Sequence, residues 1–195
     1  MNPFFLPFVA AVAANSFLTF GFGLRRLVSA EGGGFPRVFA PALAVIIAGF
    51  TVWPVFAFFL APFSLGYLEM MFLVPFSVLI STVSDKIIRS VSLGTQKQTA
   101  DLSAFSAYDG LTYAAAFMIL RLATSFIDAL LFASGAAVGY FLCAITLHAI
   151  RERSDTEPVP RCLRGIPLML IASGIIAILA SFLASAGFLA LGTHL

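Results

Sequence analysis

Charge is scarce in this chain. Only 10% of its 195 residues are charged, against 61% hydrophobic, and mean hydropathy is +1.04. A soluble domain carries about a quarter charged residues, so this composition excludes one and marks an integral membrane protein. A net charge of +2 is too small to suggest a nucleic-acid partner. Met1 to Ser16 contains no Lys or Arg, whereas a signal peptide needs a basic leading region. The apolar run also continues to Gly23, so it reads as a retained first span. There are only two cysteines, Cys143 in an apolar span and Cys162 in a charged loop, which argues against a disulfide framework. With no CxxC and no Cys/His cluster, the chain offers no self-contained metal site. No nucleotide- or flavin-binding motif occurs. One Trp and four Tyr stand against 22 Phe, which add apolar bulk without a polar handle.

What is present is a series of long apolar runs. A helix needs about 20 apolar residues to cross the hydrocarbon, and six segments qualify: Asn2–Gly23, Val38–Phe63, Leu65–Val83, Ser103–Leu122, Phe126–His148 and Ile166–Leu191. They are continuously apolar rather than alternating, which favours helices over barrel strands. The expected fold is all-α, with six transmembrane helices. Ten of the eleven Lys and Arg residues fall in the first, third and fifth loops, and only Arg121 lies on the other side. The positive-inside rule then places those three loops in the cytoplasm and both termini outside, in a multi-pass protein of a bacterial-type inner membrane.

The third loop divides residues 1–195, a single membrane domain, into halves 1–100 and 101–195. Three spans per half make the second half enter from the opposite side, the arithmetic of an inverted-topology repeat. In each half the first span is the interrupted one, by Asn15, Gly21 and Gly23 and by Asp109 and Gly110. Paired interruptions of this kind point to a functional site near mid-membrane. Asp109 reads as the one ionisable side chain that cannot be moved to a membrane surface. It lies about eight residues, roughly 12 Å, from the cytoplasmic end of its span. A charge at such depth costs roughly 2.5–3.5 kcal/mol on insertion scales. One reading is a proton- or cation-handling carboxylate, with Gly110 opening the backbone and Asn15 on the same path. Another is a protonated or paired Asp, bonded to Ser106, Thr112 or an Arg of a neighbouring subunit, and a third is a break that admits water.

The stretch from Phe132 to Gly174 resembles the Rnf/Nqr membrane-subunit family of the RnfA/NqrE type. The residues carrying the likeness are Ala136, Ala137, Val138 and Gly139, then Ile150-Arg151-Glu152-Arg153, Val159-Pro160, Arg164-Gly165 and Leu170-Ile171, with Phe8, Asn15, Phe17 and Phe22 in the first span. The resemblance implies a six-span subunit of a redox-driven ion pump, not catalytic alone. Its implied partners are flavin- and iron–sulfur-bearing proteins of the complex and a homologous RnfE/NqrD-like membrane subunit. It also implies an intramembrane iron–sulfur cluster held by cysteines from both membrane partners. Here the sequence departs: the first family cysteine falls at Arg25 or Arg26, and the second at Gly110. Cluster irons want thiolates, so this chain is expected to bind no cluster by itself.

Arg25 and Arg26 then read as a plain cytoplasmic flank, the alternative being a replacement charge pair with Asp109. Arg151, Glu152, Arg153 and Arg164 form a sign-alternating loop that is either a solvated face or a docking surface for another subunit. The competing function classes are an inverted-repeat small-solute or ion transporter without redox partners, and a purely structural subunit.

Overall fold

A computed structural model describes residues 6–12, 15, 21, 36–60, 62, 68–91, 110–156, 160 and 165–192. Among these residues the chain is helical, with no strand. The elements are α1 (Leu6–Ala11), α2 (Pro36–Val55, continued by a π-helical segment Phe56–Leu60), α3 (Glu69–Val91), α4 (Leu111–Leu122), α5 (Phe126–Thr156) and α6 (Ile166–Gly192). Among the described residues, four stretches are long and apolar enough to cross a membrane: Phe39–Leu60, Glu69–Ile88, Phe126–Ser154 and Ile166–Gly187. The 12 residues of α4 reach about 18 Å, short of a hydrocarbon thickness of about 30 Å.

Two boundaries differ from the hydropathy reading. The third helix runs on to Val91, past Val83 where the apolar run ends, and α5 runs to Thr156 instead of stopping at His148. Hydropathy falls where charges begin, but the helical hydrogen-bond ladder needs no apolar side chain. The sequences SDKIIR and IRER therefore extend their helices beyond the apolar run. Arg151, Glu152 and Arg153 accordingly sit on the last turns of α5 rather than in a loop.

α5 is the centre of the packing, because its small residues let other backbones approach. Its seam with α2 pairs Phe39 with Phe141 (ring centroids 4.9 Å apart), and Phe50 and Trp53 with Phe126 (5.6 and 6.1 Å). Between these ends Gly49 lies against Ala133. The pairs progress in opposite directions, so the two helices are antiparallel. On another face, Gly135 and Gly139 lie against the backbones of Pro7 and Ala11, in rising order, so α1 and α5 are parallel. The same i,i+4 spacing on both helices makes this a small-residue contact of the GxxxG kind.

One buried cluster joins Ala10, Val45, Leu111, Phe132, Tyr140 and Leu147, drawing on α1, α2, α4 and α5. A second joins Val52, Leu73, Ile80 and Ala116, from α2, α3 and α4. α2 belongs to both clusters and ties the two sides together. α6 is the least enclosed span, with 11% of its most apolar window buried against 56% for α5.

Two local devices fix the ends of these helices. At the start of α5, the Ser125 backbone N–H donates to Asp128 Oδ2 (3.1 Å) and the Asp128 N–H donates to Ser125 Oγ (3.2 Å). Thr124 Oγ1 adds a third bond to Asp128 Oδ2 at 2.6 Å. This is a reciprocal capping box. At the start of α4, Gly110 has φ 71°, a left-handed conformation, with no side-chain cap. Its carbonyl still accepts the first helical bond, from Ala114 N at 2.9 Å.

Candidate functional site

Of the residues at the two interruptions expected from the sequence, the structure describes Asn15, Gly21 and Gly110. α1 ends at Ala11, and neither Asn15 nor Gly21 is helical; Gly21 has φ 68°. Gly110, at the head of α4, is likewise non-helical and left-handed. Positive φ at low cost is a property of glycine, which gives these positions their residue type. Ala10, five residues before Asn15, and Leu111, beside Gly110, share the buried cluster around α5. Asp109, Arg25, Arg26 and Arg164 lie outside the described residues.

Asn15 is 1% exposed. Its Nδ2 donates to the Ala11 carbonyl at 2.9 Å, satisfying an acceptor at the frayed end of α1. The same amide rests on Gly139 of α5: a Cβ there would come within 2.6 Å of Asn15 Nδ2. Asn15 thus joins the α1 break to α5. On α5's last turns, Arg151 is half-buried while Glu152 and Arg153 are exposed.

Cluster irons want thiolate ligands. Gly110 carries no side chain, and Cys143 is packed in the hydrophobic cluster on α5. Among the described residues, no group of three or more His, Cys, Asp or Glu is close enough to hold a metal ion.

A second constellation is one the sequence reading missed. Glu69, at the head of α3, is buried, with its side chain 9% exposed, so Asp109 is not the one acid to be accounted for within the spans. Glu69 Oε2 lies 3.4 Å from Arg121 Nη2 at the end of α4. Glu69 Oε1 is buried with no hydrogen-bond partner among the described residues. The Arg121 guanidinium also lies 5.1 Å from the centre of the Phe117 ring, a cation–π distance. Beside Glu69 is a cavity of about 70 Å³. Apart from Glu69 its walls are apolar, among them Val52, Phe56, Leu60, Leu73 and Phe76. The sequence held a signal for this site: Glu69 is an acid inside an assigned apolar span, and Arg121 is the one base outside the first, third and fifth loops.

No family model matches the chain. It is similar to curated relatives along nearly its whole length. A Buchnera aphidicola protein, named as the A component of an ion-translocating oxidoreductase complex, is 26% identical over 187 residues, covering 90% of this chain and 92% of the relative. The Citrobacter koseri protein of the same name is 26% identical over 186 residues, covering 91% and 94%. The A component of the Acetobacterium woodii Na(+)-translocating ferredoxin:NAD(+) oxidoreductase complex is 39% identical over 54 residues, 28% of each chain. Similarity at 26% identity to A components of ion-translocating oxidoreductase complexes thus runs over about nine-tenths of this chain, which the all-helical architecture accompanies.

Proposed function

We propose that this chain is a membrane subunit of a redox-driven, ion-translocating electron-transport complex of the Rnf/Nqr type. The observation that carries the reading is similarity to the A components of such complexes over nine-tenths of both chains. The helical membrane architecture supports it. The chain contributes scaffold and ion path, while flavin- and iron–sulfur-bearing subunits perform the redox chemistry. Its nearest partner is a homologous RnfE/NqrD-like membrane subunit. The first, third and fifth loops face the cytoplasm, because they hold ten of the eleven basic residues.

The two halves are related as an inverted repeat. Support comes from the packing: α1 of the first half lies on α5, and α4 of the second half lies on α2. These are corresponding pairs if α1, α2 and α3 match α4, α5 and α6. The parallel α1–α5 pair and antiparallel α2–α5 pair also follow the alternation of odd and even crossings. A left-handed glycine in each half, Gly21 and Gly110, adds to it. On this reading Asp109, Gly110 and Asn15 line the ion path, and Arg151, Glu152, Arg153 and Arg164 form a docking surface.

The test is affinity isolation of the tagged chain from its own membranes in mild detergent. Flavin- and iron-containing subunits should accompany it, together with a homologous membrane protein. Isolation without any redox subunit, combined with solute uptake by the chain alone in liposomes, would overturn the reading in favour of a transporter.

A further inference from the structure

We propose that this chain carries a phospholipid site where the end of α2, the head of α3 and the end of α4 meet. Arg121 holds the lipid phosphate, and the apolar crevice beside it takes part of an acyl chain. The proposal goes beyond the complex assignment above, because the site is made by this chain's own residues and needs no other subunit.

Depth comes first. Glu69 opens the apolar stretch Glu69–Ile88, and Arg121 stands on the last turn of α4. Their contact places Arg121 level with the start of that stretch. This is the border between hydrocarbon and headgroups, where a long basic side chain keeps its stem in apolar surroundings and its charge at the polar surface.

The guanidinium is held on one side and open on the other. Glu69 Oε2 lies 3.4 Å from Nη2, and the Phe117 ring centre is 5.1 Å from Cζ. The Arg121 side chain is nevertheless 55% exposed. A guanidinium carries five N–H donors in a planar fork, and that fork matches phosphate oxygens two at a time. Arg121 is also the one base outside the first, third and fifth loops. An exposed cation so placed complements the single negative charge of a phosphodiester.

What lies beside the cation selects the rest of the ligand. The cavity of about 70 Å³ is walled by side chains of all three helices, among them Val52, Val55, Leu73 and Leu120. Apolar cavities stay dry and accept apolar guests. Phe72 lines the cavity and is 50% exposed, so the crevice reaches the outer surface of the bundle. Free phosphate would use Arg121 and leave the crevice empty, whereas a phospholipid uses both.

The experiment titrates the full-length purified protein, in mild detergent, with dioleoylphosphatidylglycerol or with diacylglycerol of the same chains. Bound lipid is counted by native mass spectrometry. Phosphatidylglycerol should bind several-fold more tightly than diacylglycerol, and inorganic phosphate should not displace it. E69Q keeps the cation and withdraws a competing carboxylate, so it should bind at least as tightly as the parent. Adding R121Q in that background leaves no buried charge unpaired and should weaken binding several-fold. V55F, which fills the crevice, should weaken it several-fold too. Equal binding by E69Q and E69Q/R121Q, equal affinity for the two lipids, or displacement by inorganic phosphate would overturn the proposal.

Discussion

Gly139 of α5 lies so close to Ala11 of α1 that a Cβ added to it would overlap the Ala11 carbonyl oxygen and come within 2.9 Å of the Ala11 Cα. Backbone meets backbone here, and the Asn15 amide, 2.6 Å from the same point, would have to shift as well. G139V should therefore destabilise the protein by about 1–3 kcal/mol, the usual range for overpacking. G174A is the control, since nothing stands within 4 Å of that position. Thermal unfolding in detergent should show a clear loss for the first and none for the second.

The left-handed Gly110 gives a different kind of sensitivity. With φ 71°, a β-branched residue there must distort the backbone or adopt a conformation costing roughly 1–2 kcal/mol. G110V should lower the melting temperature, and G110N, which tolerates this region better, should lower it less. Equal melting temperatures for both variants and the parent would mean the head of α4 is not constrained as described.

Asp128 closes the capping box of α5 through Ser125 and Thr124. D128A removes the acceptor for both groups and should lower the melting temperature by a few degrees. D128N keeps a side-chain oxygen and should recover most of the loss.

Cys143 is a buried thiol, 7% exposed on α5. In a C162S background, maleimide should leave the folded protein nearly unmodified and react fully after denaturation. Fast labelling of the folded form would contradict the position of α5 in the core.

For Asp109, placed on the ion path by sequence, D109N should abolish ion coupling in reconstituted vesicles while the complex still assembles. Coupling that survives the change would make the carboxylate structural.

The sequence announced the helical membrane class because 61% of its residues are hydrophobic and 10% charged, in continuous apolar runs that satisfy a spanning backbone as helices and lack the alternation of barrel strands. It also singled out Gly21 and Gly110, which the structure shows at positive φ. It misjudged where helices stop, because the ends of α3 and α5 depend on hydrogen bonding beyond the apolar run. The Glu69–Arg121 contact was harder still to read. The two residues are far apart in the chain, and only the packing of α3 on α4 brings them together. Small-residue seams were visible as composition, but the pairing of Gly135 and Gly139 with Pro7 and Ala11 required coordinates.

The sparse burial of α6 has a mechanical consequence. Pulled by its C-terminal end out of a bilayer, the chain should yield in unequal steps. α6 should come away first at low force, since it grips little beyond α5 and, through Gly187, the ring of Phe8. The next step should be the large one, because extracting α5 withdraws the axle on which α1, α2 and α4 are mounted.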